Sequence, residues 1–157
     1  MTHPEDDLHL LLEKWEESYK KGLLSFWMLL LLDQRPTYAF EMNALIVQLS
    51  GGTISADDNS LYRALGRFEQ VGLVSAQAQP SPQGPARRYY TLTPKGRALL
   101  ASFIQRNLLL FQQPDLSQRL QGLAAHAPEA PKATEATEAT EVTALKGAYA
   151  KSPEEKP

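Results

Sequence analysis

The sequence predicts a mainly α-helical fold that carries one small β-hairpin, and three observations support this. Leu61, Leu65 and Phe68 recur at spacings of four and three, which places them on one face of an α-helix. Gly72 suits a left-handed helix end, and an apolar run follows it directly. After a turn rich in proline and glycine, residues 87–92 (RRYYTL) return to β-type chemistry. A helix, a strand, a turn and a basic strand in this order form the second half of a winged helix-turn-helix.

The region before this segment is predicted to be helical. Asp6 or Asp7 is expected to cap the first helix. One apolar line runs along that helix through Leu8, Leu12, Trp15 and Tyr19. Gly22 either separates it from a second helix over residues 23–33 or lies within one bent helix, and Pro36 ends this stretch.

A third helix is expected from Thr37, its N-cap, through about Leu49. Its inward-facing residues are expected to be Phe40, Ala44, Val47 and, as a further candidate, Leu45. Thr53 and Ile54 suit a short strand beside the hairpin. Ser55–Asp58 matches a capping box at the start of the helix that carries Leu61, the expected recognition helix.

A last helix is predicted from Lys95 to about Gln113, with Thr93 as its N-cap and Pro94 in its first turn. Its apolar content exceeds what one small domain can cover, and a twofold dimer is the commonest way to cover such a surface. We therefore expect a homodimer interface on the first and last helices, made by Leu8, Leu12, Trp15, Leu100, Phe103, Ile104, Leu108 and Phe111. Pairing of these helices within one chain is the alternative.

Composition and charge limit the function. The 157 residues are 43% hydrophobic and include no cysteine, which excludes disulfides, thiol nucleophiles and thiolate metal sites. Residues 19–97 contain nine basic and five acidic residues, a net charge of +4, whereas the flanks carry −6 and the whole chain −2. Phosphate attraction is screened beyond about 8–10 Å, so the positive segment favours nucleic acid more than the total indicates.

Four regions follow from these patterns. We expect an N-terminal helical extension (1–18), a winged helix-turn-helix DNA-binding domain (19–97), a C-terminal dimerisation helix (98–127) and a disordered acidic tail (128–157). The apolar run from Leu23 to Leu32 is about half the length of a membrane span, so no membrane is expected. The N-terminus lacks the pattern of a secretory signal, and we therefore expect a cytoplasmic, nucleoid-associated protein.

Hydrogen-bond donors lie on the recognition helix opposite its apolar line. Arg63 or Arg67 suits a bidentate contact to guanine, and Asn59 suits adenine. Arg87 and Arg88 of the hairpin suit phosphates or a narrow minor groove.

Three segments resemble the PadR family of winged-helix transcription regulators, whose members dimerise through terminal helices and mostly repress. They are KKGLLSFWMLLLLDQRPTYAFEM from Lys20, SLYRALGRFEQVGLV from Ser60 and GPARRYYTLTPKG from Gly84. The resemblance implies a DNA-contact set of Asn59, Ser60, Tyr62, Arg63, Arg67, Arg87, Arg88 and Tyr89. Ala39 and Arg63 depart from the glycine and proline that the family commonly has. ADDNSLYRALGRFE, GPARRYYTLT and FIQRN are most similar to the cyanobacterial circadian period-extender (Pex) subgroup, which implies control of clock genes.

These inferences predict a sequence-specific, double-stranded-DNA-binding transcriptional repressor that acts as a homodimer. No motif supports an enzyme, and no cofactor or metal is expected, although His9 and Glu13 stand at helical spacing. Two alternatives stay open. In one, Asp57 and Asp58 face a protein partner, because two carboxylates at the start of the recognition helix repel phosphate. In the other, the protein keeps DNA binding and also binds a small aromatic effector, as some members of the family do, in a pocket near the dimer interface lined by Trp15, Tyr19, Phe26 and Trp27.

Overall fold

The computed structural model describes residues 4–128, with side chains from residue 7. Within that range, five α-helices and a three-stranded antiparallel sheet confirm the predicted mainly α fold with a small β-wing. The helices are α1 (Pro4–Gln34), α2 (Ala39–Leu49), α3 (Asp58–Gln70), α4 (Pro94–Asn107) and α5 (Pro114–Ala124), and the strands are β1 (Thr37–Tyr38), β2 (Val74–Ser81) and β3 (Gly84–Leu92). Residues up to Gln113 form one compact unit, and α5 belongs to a second. The predicted disordered tail lies outside the described residues from position 129 onward.

Helix α1 is one continuous helix of 31 residues. It begins at Pro4, so Asp6 and Asp7 lie within it and neither is its cap. Gly22 does not separate two helices, because a single exposed glycine costs a helix only about 1 kcal/mol. Burial of Met28 and its neighbours on the core outweighs that cost. Residues 7–19, in contrast, are all exposed.

The start and the phase of α2 differ from the prediction. Thr37 is fully buried in β1 and does not cap the helix. Tyr38 is the N-cap residue, and its amide donates to Glu41 Oε1 at 3.3 Å. Phe40 is 73% exposed and Ala44 is also exposed, so the prediction is wrong for these two residues, whereas Leu45 is buried as expected. Val47 is half-buried, and the buried residues are Ala39, Met42, Leu45 and Ile46.

The sheet has the strand order β1-β3-β2. Its short third strand pairs Thr37 with Tyr90, and the predicted strand at Thr53 and Ile54 is therefore wrong. Ile54 lies instead in a loop, where it is buried and its amide donates to Ser50 Oγ at 3.0 Å. The β2–β3 hairpin is longer than predicted, because both strands continue through their prolines to a tip at residues 81–84.

The predicted single helix from Lys95 to about Gln113 is wrong, because α4 ends at Asn107. Residues Leu109–Gln112 form a 3-10 turn, and Gln113 is extended. Pro114 explains the extended conformation of Gln113, since its ring disfavours the helical conformation for the residue before it. Among the helices of residues 4–128, none is long and apolar enough to cross a membrane.

Candidate nucleic-acid interface

Helix α3 separates a buried face from an exposed face. Leu61, Leu65 and Phe68 are buried as predicted, and Ala64 joins them. The opposite face exposes Asn59, Tyr62, Arg63, Gly66, Arg67 and Gln70. Because the apolar face packs on α2 and β2, the polar face is held outward in a fixed orientation.

Asp57 closes the N-terminus of α3, and the predicted capping box over Ser55–Asp58 is wrong. The Ser60 hydroxyl donates to Asp57 Oδ2 at 2.6 Å, and the Ser60 amide donates to Oδ1 at 2.9 Å. These two hydrogen bonds, the hydroxyl first, lower the pKa of the Asp57 carboxyl. The Asp57 carboxylate therefore stabilises the positive end of the helix dipole, and the Ser60 hydroxyl is already engaged in the cap.

The C-terminus of α3 ends in a Schellman motif, as Gly72 led us to expect. Gly72 has a φ of 76°, a left-handed conformation that glycine adopts without strain. The Leu73 amide donates to the Phe68 carbonyl at 2.8 Å, and the Gly72 amide donates to the Glu69 carbonyl at 3.1 Å.

The same turn is fastened to the start of α4. Thr93, the predicted N-cap, accepts from the Gly96 amide at 3.0 Å. Its hydroxyl also lies 2.6 Å from the Gly72 carbonyl oxygen and 3.0 Å from that of Leu73. A Cβ added at Gly96 would lie 2.1 Å from the Leu73 carbonyl oxygen, so glycine is required at this contact. The end of α3 and the start of α4 thus form one hydrogen-bonded joint.

Arg88 of the wing reaches the recognition helix. Its Nη2 donates to Glu69 Oε1 in an ion pair between β3 and α3. Its guanidinium also lies 5.7 Å from the ring centroid of Tyr90. Arg87, which precedes Arg88 in β3, points to the other face of the sheet. Burial raises the pKa of the Tyr90 hydroxyl, while the charge of Arg88 opposes that rise.

Arg87 and Tyr89 form a second group on the opposite face of the sheet. The Arg87 guanidinium lies 5.1 Å from the ring centroid of Tyr38, a cation–π distance. The Tyr38 ring lies 5.9 Å from Tyr89 and 6.1 Å from the exposed ring of Phe40. The two wing arginines therefore have different surroundings.

Ion pairing distinguishes the arginines of the positive segment. Arg35 pairs with Glu41 at 3.2 Å, and Arg97 pairs with Asp33 at 2.8 Å. Among the described residues, Arg63, Arg67 and Arg87 form no ion pair. All three are among the residues that the sequence assigned to DNA, and each keeps its charge available for phosphates and bases.

Comparison with known proteins identifies the domain. Residues 28–102 match the model of the transcriptional regulator PadR-like family. The winged-helix domain of this chain is similar to the PadR-like family over these residues. The match supports a PadR-like transcriptional regulator with a DNA-binding fold, and regulators of this kind are not enzymes.

Solved structures agree with the PadR-like assignment. A PadR-like regulator from Bacillus cereus is 26% identical, with a TM-score of 0.51 over 68% of this chain and 96% of that chain. A PadR-family regulator from Eggerthella lenta is 21% identical, with a TM-score of 0.52 over 77% and 98%. A transcriptional regulator from Clostridium thermocellum is 17% identical, with a TM-score of 0.51 over 71% and 99%. The last two show the fold alone. No curated protein matches the chain.

Most of the residues expected to contact DNA lie on the surface of the PadR-like domain. Asn59, Tyr62, Arg63, Arg67, Arg87 and Arg88 are exposed, whereas Ser60 and Tyr89 are half-buried. Glu69 and Tyr38 were not predicted, although each holds a wing arginine. Glu69 follows Tyr62 by seven residues and so shares its side of α3, but only the hairpin register brings Arg88 there.

The residues expected at the dimer interface fall into two groups. Leu8, Leu12 and Trp15 are 53%, 48% and 77% exposed on α1. Leu100, in contrast, is buried within its own chain. Ile104 packs on the core, Phe103 contacts the ring of Phe26 at 5.8 Å, Leu108 is half-buried and Phe111 is 49% exposed. Helix α4 therefore pairs with the C-terminal half of α1 in the same chain, whereas residues 7–19 of α1 are exposed in the part of the chain that the structure describes.

An apolar pocket of about 150 Å³ lies between α1 and α4 of the PadR-like unit. It is lined by Gly22, Ser25, Phe26, Leu29, Leu99, Leu100 and Phe103. Of the four aromatic residues expected to hold an effector, only Phe26 lines it, and Trp15 and Tyr19 are exposed. His9 Nε2 lies 3.2 Å from Glu13 Oε1 on the surface, and no group of residues in the described part could hold a metal ion.

Proposed function

We propose that this protein is a homodimeric, sequence-specific transcriptional repressor that binds double-stranded DNA. The observation that carries the proposal is a set of three arginines of the positive segment that form no ion pair with any described residue, Arg63 and Arg67 on the exposed face of α3 and Arg87 on the wing. Arg63 and Arg67, with Asn59 nearby on the same face, offer the donors that base edges in a major groove accept. Arg87 offers a charge for the phosphate backbone.

The carboxylates at the start of α3 do not overturn this assignment. Both Asp57 oxygens already accept hydrogen bonds from Ser60, so the group is committed to the cap of the helix. A protein-interaction module would need Asp57 and Asp58 as an acidic recognition pair, and the cap removes one member of that pair. Phosphate repulsion by the remaining charge weakens binding without deciding its specificity.

The dimer is supported by a seam along α1. Leu8, Leu12, Trp15, Tyr19, Gly22, Phe26 and Leu29 alternate at spacings of four and three, the heptad pattern of a helix–helix seam. The first four are exposed, and the last three line the apolar pocket against α4. Residues 4–20 would extend about 25 Å without packing on the rest of their own unit, whereas helices in proteins gain most of their stability from packing of an apolar face. In the proposed dimer, α1 of a second copy crosses this helix at Gly22. It thereby covers the exposed apolar residues and supports the segment 4–20.

A twofold dimer gives the recognition helices a defined target. Two copies of α3 meet half-sites about 34 Å apart, one turn of duplex, and occupancy of such a site in a promoter blocks transcription. The similarity of ADDNSLYRALGRFE to the cyanobacterial period-extender subgroup extends the proposal to promoters of circadian clock genes and to action at the nucleoid.

Selection of duplexes from a random library by the purified full chain tests DNA binding. We expect the selected duplex to be preferred over random competitor by about 10³-fold or more. Clock-gene promoter fragments, compared with shuffled versions of the same length, test the narrower target. Absence of any preferred duplex would contradict the repressor proposal and favour the protein-interaction module.

Two arginine variants separate the proposed roles. Arg63→Ala should relax the sequence preference and cost about 1–3 kcal/mol on the selected duplex. Arg87→Ala should weaken binding to all sequences and reduce the salt slope by about one. Arg106→Ala, near the far end of α4, is the matched charge control and should change neither quantity. Equal effects of the first two variants on all duplexes would contradict the division of roles.

Sedimentation equilibrium tests the dimer. Leu12→Glu places a charge on the seam and should give monomers, whereas Leu10→Glu changes a residue that is equally exposed but lies on the opposite side of α1. Leu10→Glu should therefore stay dimeric. A wild-type chain that is monomeric at every concentration would refute the dimer.

A further inference from the structure

Gly66 lies in the middle of the exposed face of α3, with nothing in the described residues that requires a glycine there. A Cβ added at Gly66 would have no described atom within 4 Å. Two nearby glycines differ in this respect: Gly72 needs its positive φ, and Gly96 needs its close contact with the Leu73 carbonyl. Gly66 has ordinary helical backbone and open space.

Glycine at this position destabilises the free protein. A residue without a side chain loses more backbone freedom in a helix interior than alanine does and buries nothing in return. Helix α3 is otherwise well specified, since Asp57 caps its start and Gly72 closes its end. The cost at Gly66 is therefore not offset by any contact among residues 4–128.

The position of Gly66 indicates what offsets the cost. Tyr62 and Arg63 lie one helical turn before it, and Gln70 lies one turn after it, on the same exposed face. Gly66 is thus at the centre of a strip of exposed hydrogen-bond donors that includes Arg63, which is assigned to base readout. An α-helix with its side chains is about 10–12 Å across, and the major groove is about 12 Å wide, so a helix fits the groove with little clearance.

We propose that Gly66 is the point at which the duplex comes closest to the backbone of α3, and that it determines specificity by setting how deeply the helix enters the groove. This inference rests on the proposed DNA-binding function. Without a Cβ at the centre of the strip, the helix axis moves towards the base pairs by about the length of one C–C bond, about 1.5 Å. Arg63 and Gln70 then reach base edges that a bulkier central residue would hold beyond hydrogen-bond distance.

Substitution of Gly66 in the full chain tests the proposal. Gly66→Ala adds one methyl group to open space, so it should raise the thermal midpoint of the free protein. It should also weaken binding to the duplex selected by the wild type by about tenfold or more, while affinity for a random duplex of equal length changes less. Gly66→Gln should bind that selected duplex more weakly still, although it adds donors. Gly122→Ala, at an exposed glycine of α5 with equally open space, should leave DNA affinity unchanged.

The outcomes distinguish this inference from the function on which it rests. A wild-type chain that prefers no duplex overturns both. A wild-type chain that prefers a duplex, with Gly66→Ala equally tight and more stable, overturns the role of Gly66 alone. Tighter binding of Gly66→Gln to every duplex also overturns it, because a side chain at this position would then not hinder the approach of DNA to α3. A rise in stability combined with a loss of specific affinity supports it.

Discussion

Replacement of Glu69 by glutamine should strengthen DNA binding by the wing. In the free protein the Glu69 carboxylate holds the Arg88 guanidinium, which the sequence assigned to phosphate contact. A phosphate that binds Arg88 must first displace this carboxylate. Glu69→Gln keeps the size of the side chain and removes the charge that competes with DNA.

The magnitude follows from the exposure of the pair. The side chains of Arg88 and Glu69 are 57% and 38% exposed, so solvent screens their attraction. Exposed ion pairs of this kind contribute about 0.2–1 kcal/mol, which corresponds to an increase in affinity of about 1.4- to 5-fold when the competition is removed. Full release of Arg88 to a phosphate should also steepen the salt slope by up to about 0.9.

Fluorescence anisotropy with a random duplex, measured from about 50 to 200 mM salt, suits this test because wing contacts act on all sequences. Glu17→Gln removes an exposed carboxylate of another ion pair, on α1, and is the matched control. Glu69→Gln with an unchanged thermal midpoint but weaker binding and a flatter salt slope would refute the competition. Glu69 would then position Arg88 for DNA instead of withholding it.

Two further predictions concern stability. Gly96→Ala should lower the free energy of unfolding by about 1–3 kcal/mol, because the new Cβ would lie 2.1 Å from the Leu73 carbonyl oxygen; thermal unfolding followed by circular dichroism measures the loss, and an unchanged midpoint would contradict the close contact. Asp57 has a lowered pKa in the folded chain, so its contribution to stability is complete above about pH 4 and is lost as the pH falls through the lowered pKa. Asp57→Asn keeps a capping oxygen but does not titrate, so its stability should fall less than that of the wild type in acid; parallel profiles would contradict the role of the carboxylate.

Features that depend on a few adjacent residues were predictable from the sequence. Gly72 indicated the end of α3, and Thr93 with Pro94 indicated the start of α4, because helix termini have strong local preferences. The two faces of α3 were also predictable, since its polar and apolar residues alternate with a clear helical period.

Features that depend on tertiary pairing were not predictable. Residues of α2 are apolar on most sides, so periodicity could not show that Phe40 points to solvent. Strand β1 exists only through its pairing with β3, and a strand of two residues has no pattern of its own. Glu69 and Arg88 are nineteen residues apart, and the hairpin register alone brings them together. The end of α4 at Asn107 was also missed, because the apolar residues continue to Phe111 and the first helix-ending residue is Pro114.

The hydrogen-bonded joint between α3 and α4 couples the orientations of the two helices. The Thr93 hydroxyl is hydrogen-bonded to the Gly72 and Leu73 carbonyls after α3, and Gly96 packs closely against the Leu73 carbonyl. A change in the direction of α4 therefore also changes the direction of α3. Helix α4 is about 21 Å long, so a tilt of about 10° displaces its far end by about 4 Å. In the proposed dimer, repacking at the far end of α4 would thus change the separation of the two recognition helices. Operator spacing could then evolve through apolar residues that never touch DNA.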